Sequence, residues 1–575
     1  MSYISFMKWI YREPPPEPNI DKWLDQIGFS PLLAAGLWNR GLQSQERLER
    51  FFRADSDSLL APAMLGSEMK KAVTRLRQAF ERQEKIVIFG DYDVDGTSGA
   101  ALMQEVFQRL APHYGFSSAV MLSDRFTEGY GLNMKNLDRL IAMQPNLVVT
   151  VDCGVSSGAE IARLKTLGID VVITDHHGLK GDYPDAAVAV VHPGLSSQGS
   201  LATVSGCCVA WQLMRGLWEI NGKKSPDWLM QDSLDLVALG AVCDIMPLNE
   251  PENRYFVREG MRQIEQGGRT AFQVMRQACG WRRVNTYTLG FVIGPRINAA
   301  GRMNKANGAE PVVEWLLAQD KQRCAEIAAQ LEQFNSERRQ EQEESIQAGL
   351  RQLTDESEAG FERLSVVRGD FHEGVVGIVA SKLAEKFFRP AFVMANTEET
   401  SATGVMRGSA RSIPGVDLFS LIERHQHLLV QWGGHAMAAG LNIEQENMER
   451  FFRAIDAELA AMPAQTWEKV RWVDGRLTPQ ELTEAFFANL MALEPHGEKF
   501  PPFVWELTGT LTKGRVLERP GSPKVGTLSV GGRNYPFAMW DNADQVEIGE
   551  ERNFIGCWEY NDYQRAMQFR AIGLA

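Results

Sequence analysis

Apolar and polar positions follow two different rhythms along this chain. Residues 21–84 carry apolar side chains at helical spacing, as in the run from Met69 to Phe80. The rhythm then changes to short β-branched blocks: KIVIFG (85–90), NLVVTV (146–151), IDVVIT (169–174) and AVAVVH (187–192). Helical stretches at 96–110 and 159–167 lie between them. Strands alternating with helices predict βαβ units and a parallel sheet, an α/β fold class. A further helical region ends near Gly301, and the charged residues 311–353 predict one or two long helices. Clean heptads are not sustained there, which disfavours a coiled coil. After an acidic boundary loop (354–360), residues 362–462 return to mixed α/β, with strands LSVVRG and AFVMA flanking a helix VVGIVASKLAEKF. Beyond Pro463 strand and turn alternate, which predicts a small β-barrel of OB type. The proline-rich residues 1–20 read as a loose arm.

Composition sharpens this outline at three points. A chain of 575 residues is too long for one core, so several domains are expected. The formal net charge of −13 argues against a surface coated for nucleic acid, though it leaves room for a narrow basic groove. Bound divalent cations would supply positive charge where an anionic substrate needs it. The seven cysteines form no C-x-x-C pair, which points to reduced, buried thiols rather than zinc fingers. The first residues show no signal-peptide core, and the apolar run 234–246 is broken by Asp235 and Asp244. A cytoplasmic protein without membrane contact is therefore expected.

The chemistry concentrates where the β-branched blocks end. Asp91, Asp93 and Asp95 follow the first block, Asp152 the second, and Asp175, His176 and His177 the third. Parallel strands would deliver all of them to one end of the sheet. If the backbone stays extended, Asp91, Asp93 and Asp95 point to one side. Gly96 then allows the turn into a helix. The competing reading is a solvated acidic loop. Such a density of charge in a buried turn is costly unless a cation neutralises it. Asp244 follows an apolar helical run and reads equally well as a ligand or as a residue of the loop after that helix. Carboxylates with imidazole suit manganese or magnesium better than sulfur-seeking metals, and a pair of such ions can activate water against a phosphodiester. GPRINAAGR (294–302), RGSARS (407–412) and GGHAMAAG (433–440) offer arginines or histidine beside glycines, a pattern equally suited to phosphate contact or to a plain turn. No G-x-x-x-x-G-K-[ST] occurs, which disfavours a nucleotide-driven motor.

DYDVDG, VDCGVSS, TDHH and LDLVALGAVCDIMPL resemble the phosphoesterase motifs of the DHH superfamily. Within it they resemble those of the bacterial RecJ family of single-strand-specific DNA exonucleases. GPRINAAGR is similar to a later motif of that family, and HEGVVGIVASKL, GSARSIPG and GGHAMAAG to motifs of its DHHA1 domain. The resemblance runs from about residue 25 into the C-terminal β-domain. It implies Asp93, Asp95, Asp152, His176 and Asp244 as metal ligands, with Asp152 bridging. It makes Asp91 and Asp175 ligands or the partners behind them, and sets His177 on the scissile phosphate. Arg125, Ser409 and Arg411 would hold a 5′-terminal phosphate. Arg296, Asn298, Arg302, His372 and His435 would line the strand path. Ala410, where relatives often have glycine, and His192, where asparagine is common, depart from the pattern; neither is expected to touch the ligands.

The implied organisation is an N-terminal arm with helices (1–60), a DHH catalytic domain (61–310), a linking helix (311–355), a DHHA1 domain (356–462) and an OB-like nucleic-acid-binding domain (463–575). A groove between the catalytic and DHHA1 domains would admit one strand, and Trp505, Tyr535, Trp540, Trp558 and Tyr560 are stacking candidates that serve equally well as core. The implied activity is 5′→3′ hydrolysis of single-stranded DNA to 5′-mononucleotides in repair and recombination, with two divalent ions, Mn2+ ahead of Mg2+. Single-stranded DNA, a single-strand-binding protein and a helicase are the implied partners of a monomer. The alternatives are a phosphodiesterase on short oligonucleotides or cyclic dinucleotides, and an inactive scaffold.

Overall fold

The computed structural model describes residues 7–13, 28–53, 55–56, 59–179, 183–196, 203–306, 308–354, 360–396, 400, 403–516, 523–540 and 543–575. Most of the expected arm and nearly all of the 354–360 loop lie outside these residues. Within the arm, Met7–Tyr11 is a strand paired with Lys469–Val473, which corrects the expectation of a loose segment there. The chain divides into two compact units, Tyr11–Leu331 with Trp472–Ala575, and Glu332–Arg471 with Met1–Ile10.

The first unit is built on a five-stranded, wholly parallel sheet. Its order is Ser117–Leu122, Lys85–Gly90, Leu147–Val151, Asp170–Thr174, Ala189–Val191. Four of these strands match the β-branched blocks. The edge strand Ser117–Leu122 escaped the sequence pattern because it opens on two serines and is only partly buried. The chain starts on Lys85–Gly90, steps outward to the edge, then crosses to Leu147–Val151 on the other side. Between those two strands the winding reverses, and the carboxyl ends of such strands open a crevice. Both deliver acidic residues into it. The helix after the first strand, Val94–Tyr114, ends on Gly115 in the left-handed region, a common helix stop.

The same unit carries a closed five-stranded barrel. Trp505–Val516 pairs with Lys524–Val530, which pairs with Arg533–Met539. Arg533–Met539 pairs in parallel with Ala566–Leu574, which returns through Glu551–Asn561 to Trp505–Val516. This antiparallel closure with one parallel contact is an OB-like arrangement. Trp505 and Trp558 are buried in the barrel core, so neither is placed to stack on a base. The barrel also shares its core with Leu33, Leu37 and Phe51 near the N-terminus and with Leu248 and Val257 of the catalytic region. Two buried arginines fasten the connecting segment. Arg254 donates to the carbonyls of Leu493, Glu494 and Pro495 at 2.8–3.0 Å, and Arg40 to Asp474 and to the carbonyls of Pro501 and Pro502.

The second unit holds a mixed sheet ordered Gln431–His435, Ala438–Glu444, Val405–Arg411, Ala391–Ala395, Ser365–Gly369. Helix Val376–Phe387 packs on it. The stretch 311–353 forms two helices, Glu310–Leu317 and Lys321–Thr354. Among the described residues no helix is long and apolar enough to cross a membrane.

Candidate metal centre

The three aspartates after the first strand do not all stay extended: Asp91 and Asp93 share a ligand group and Asp93 keeps an extended backbone, but the chain turns into a helix at Val94 and carries Asp95 away from them, which corrects the expectation that alternation aims all three together. Asp93 caps helix Val94–Tyr114, its carboxylate accepting from the amides of Asp95 at 2.9 Å and Gly96 at 3.1 Å. Capping satisfies amides that an extended chain would leave bare, so the helix starts at Val94 and carries Asp95 into its first turn. Asp91 stays at the strand end and accepts from the Ser123 hydroxyl at 2.7 Å. Asp95 reaches the N-terminus of helix Gly206–Glu219 and accepts from the amides of Gly206 at 2.6 Å and Cys207 at 3.1 Å. Only glycine fits at two neighbouring positions. A Cβ on Gly240 would collide with the Asp95 carboxylate, and one on Gly206 with Asp152.

Asp152 ends the central strand with φ +62°, a left-handed conformation that Asp tolerates better than most residues. Asp175 spends its carboxylate on the protein. It accepts from the amides of Val155, His176 and His177 and lies 2.9 Å from His177 Nδ1. That makes it an orienting group, not an open ligand. Burial raises its pKa, but the His177 hydrogen bond and charge outweigh this and hold it below the usual range. Burial likewise lowers His177, and the Asp175 hydrogen bond and charge reverse this and push it up to about 9. His177, 42% exposed at the rim of the cluster, thus has its charged form favoured. His176 behaves oppositely. Burial, then the charge of His177, lowers it to about 4. It is neutral at pH 7, so its close approaches to carboxylates are not ion pairs.

Those approaches define the centre. His176 Nε2 lies 3.1 Å from Asp152 Oδ1, 3.3 Å from Asp244 Oδ2 and 3.9 Å from Asp95 Oδ2. Asp244 is the residue that terminates helix Leu234–Cys243. Three groups of side chains bring ligand atoms within 4.8 Å of one another: Asp91, Asp93 and Asp152; Asp152, His176 and His177; Asp95, His176 and Asp244. Asp152 and His176 each belong to two groups. Burial, then the charge of Asp93, pushes Asp91 up to about 7 and Asp95 up to about 6. Burial, then Asp95 and Asp93, pushes Asp244 up to about 8. Asp152 is also raised, by burial and then by Asp95.

The donor set fits divalent cations on one further observation. Asp152 Oδ1 and His176 Nε2 are both buried and have no hydrogen-bond partner, although they face each other. Burial favours a proton on Asp152, and once that proton leaves, the carboxylate oxygen and the imidazole nitrogen confront each other as lone pairs that a cation between them would satisfy. Carboxylate with neutral imidazole matches Mn2+ or Mg2+.

The structure adds residues that the sequence pattern did not reveal. The Tyr130 hydroxyl donates to the Asp152 carbonyl at 2.9 Å and lies 3.0 Å from His177 Nδ1. Ser123 and the amides of Gly206 and Cys207 hold carboxylates. Only the serine before helix Gly206–Glu219, a helix-start signal, was readable in advance. His192, expected not to touch the metal ligands, donates Nε2–H to the carbonyl of His177, the residue expected at the scissile phosphate, at 2.8 Å. Of the residues expected at the 5′-terminal phosphate and along the strand path, Arg125 lies 5.2 Å over the Tyr92 ring, and Arg125 and Arg302 both act on the Tyr92 hydroxyl electrostatically. Arg296, Asn298 and Arg302 share helix Gly294–Met303. In the other unit, Arg411 donates to Ser409 Oγ at 2.9 Å beside Gly377, at the start of helix Val376–Phe387. His372 Nδ1 and His435 Nδ1 accept from the amides of Gly374 and Met437.

Comparison with known proteins gives this geometry its context. Residues 85–241 match the DHH family, N-terminal domain, and residues 363–461 the DHHA1 domain. The single-stranded-DNA-specific exonuclease RecJ of Bacillus subtilis is 32% identical over 86% of this chain, and the match spans 60% of that protein's length. RecJ of Haemophilus influenzae is 33% identical over 83% of each chain. The crystal structure of RecJ from Thermus thermophilus, solved in complex with Mn2+, has a TM-score of 0.81 at 26% identity, covering 99% of this chain and 79% of that one. On this identity and coverage, and with the DHH and DHHA1 domains in sequence, the chain belongs to the RecJ family.

Proposed function

We propose that the chain is a metal-dependent exonuclease that hydrolyses single-stranded DNA in the 5′→3′ direction, releasing 5′-mononucleotides for repair and recombination. The observation that carries the reading is the buried, facing pair Asp152 Oδ1 and His176 Nε2, shared among three ligand groups. Asp93, Asp95, Asp152, His176 and Asp244 would hold two divalent ions, Mn2+ ahead of Mg2+, with Asp152 common to both. Such ions supply a water of lowered pKa and neutralise charge on the phosphoryl oxygens. The protein's own groups do the positioning. Asp95 is fixed by the amides of Gly206 and Cys207, so its carboxylate needs no reorganisation when loaded. His177, charged and turned by Asp175 and Tyr130, offers an N–H to a non-bridging oxygen of the scissile phosphate. Arg125, Ser409 and Arg411 would take the 5′-terminal phosphate, and Arg296, Asn298, Arg302, His372 and His435 the strand behind it. A cytoplasmic monomer working with a single-strand-binding protein and a helicase completes the reading.

The test uses single strands labelled at either end and incubated with Mn2+. The 5′-labelled strand should yield mononucleotide from the first time point, and the Asp152→Ala protein should leave both strands intact. Cleavage by that variant at the parental rate would remove the site assignment, and release from the 3′ label first would reverse the polarity.

A further inference from the structure

The turn Thr288–Ile293, before helix Gly294–Met303, is π-helical, a geometry that recurs at functional sites. It bears two large rings in the open. Tyr287 is 64% exposed and Phe291 is 70% exposed. They stack on each other with centroids 5.2 Å apart and planes 17° apart. Single exposed apolar side chains need no explanation, but a preformed pair of parallel rings is a ready surface for a third flat ring.

Its surroundings say which kind. On one side the turn packs against the end of helix Leu234–Cys243. Cys243 Sγ approaches the Leu289 carbonyl, and a side chain at Gly294 would meet Cys243. The next residue is Asp244, a member of the metal centre, so the turn packs against the same helix end that carries that carboxylate. On the other side Tyr287 lines a cavity of about 620 Å3 together with Arg283, Asn285, Trp540, Tyr560 and Arg570. That cavity joins the catalytic region to the barrel, and Trp540 at its wall is 47% exposed. Its volume falls in the range of sites for single small molecules, and its two guanidinium groups are paired with glutamates of the same wall, Arg283 with Glu494 and Arg570 with Glu559, which leaves the rings as its open chemistry. Arg282, adjacent in sequence, lies 4.4 Å over the Tyr563 ring. Exposed rings beside a charge-balanced wall match flat bases taken by stacking, which needs a ring face and no particular sequence.

We propose that Tyr287 and Phe291 form a base-stacking station on the strand's route between the metal centre and the cavity at the barrel, so that they set the preference for long single strands over very short ones. The proposal rests on the exonuclease reading above. The occupant is a single-stranded nucleic acid, held through its bases without regard to sequence.

Full-length, Mn2+-loaded protein is assayed on a long oligodeoxynucleotide and on a dinucleotide, with Tyr287→Ala/Phe291→Ala compared against Tyr287→Phe/Phe291→Tyr. Stacking on an aromatic side chain changes affinity by roughly ten-fold per ring. The alanine pair should therefore lower kcat/KM on the long strand about ten-fold or more relative to the dinucleotide, through KM, while the ring-conserving pair keeps the parental ratio. Both residues are exposed, so thermal unfolding should match the parent. An unchanged ratio in the alanine pair overturns the station, as does a ring-conserving pair that behaves like alanine. Loss of binding to another protein with the ratio intact would also overturn it, reassigning the rings to a protein interface. Failure of the parent protein to cleave either substrate would instead count against the exonuclease reading itself.

Discussion

Replacing Asp244 by asparagine should make the metal-free protein more stable and the metal-loaded protein less so. Asp244 Oδ2 faces the lone pair of His176 Nε2 at 3.3 Å, inside a group that also includes Asp95. Burial, followed by the charges of Asp95 and Asp93, moves its pKa from 3.8 to about 8. The sign follows from proton linkage. Between those two values the folded protein holds a proton that the unfolded chain releases, so stability falls as pH rises from about 4 and the loss is complete above about 8. At about 1.4 kcal/mol per pH unit the gap corresponds to roughly 6 kcal/mol. The side chain is 30% exposed, and solvent screening brings the working figure to about 2 kcal/mol. Asparagine removes the charge at nearly constant volume, and its amide N–H can donate to His176 Nε2, where the carboxylate could only confront it.

The assay is thermal unfolding with chelator at pH 9 and pH 5, then with saturating Mn2+. In chelator at pH 9 the variant should melt a few degrees above the parent, and the advantage should shrink toward pH 5. With Mn2+ the order should invert, because an ion at a hundred times its Kd adds about 2.7 kcal/mol to a protein that binds it and the variant has lost a ligand. A variant that melts below the parent in chelator at pH 9 would refute the electrostatic reasoning. A parental response to Mn2+ would refute the ligand assignment.

Two shorter expectations follow from the same geometry. Tyr130→Phe deletes the hydroxyl that joins the Asp152 carbonyl to His177; kcat should fall about ten-fold with KM little changed, while a loss of about 1 kcal/mol in stability bounds the structural effect. Arg254→Met strands the carbonyls of Leu493, Glu494 and Pro495 in a buried seam, and a urea titration should show a loss of roughly 3 kcal/mol, whereas equal midpoints would mean water replaces the guanidinium.

The sequence made the centre's acids and histidines visible because a parallel sheet converts position after a β-branched block into a place in space. Asp91, Asp152 and Asp175 needed only the strand ends to be recognised. Asp244 could not be raised above a loop residue in that way, since it sits at the end of a helix whose approach to the sheet is decided by packing. Asp95 departs from the extended alternation for a local reason, the capping of two amides by Asp93 that starts a helix there, which no hydrophobic pattern reports. Tyr130, Ser123 and the amides of Gly206 and Cys207 were hidden for a different reason. Each lies far along the chain from the group it serves, and tyrosines, serines and glycines are too common to signal themselves. The barrel shows the same limit. Its strands were readable as alternation, but Trp505 and Trp558 inside and Trp540 outside look alike in sequence, and only the closure of the barrel separates them.

What the sequence carried without the fold was a sum of charge, and the fold turns that sum into a requirement. Asp91, Asp95 and Asp152 are fully buried, and no arginine or lysine is paired with any of them among the described residues. Elsewhere the same protein neutralises buried acids within itself, as Arg269 does for Asp235 and Arg40 for Asp474. The chain therefore has the means to pair such groups and leaves these three to backbone amides, a serine and a neutral imidazole. A core that leaves buried carboxylates short of counter-charge at one strand end, while satisfying them at others, must hold protons or cations there, and loading with cations releases those protons. That contrast within one molecule argues for metal at this site more strongly than the count of acidic residues does.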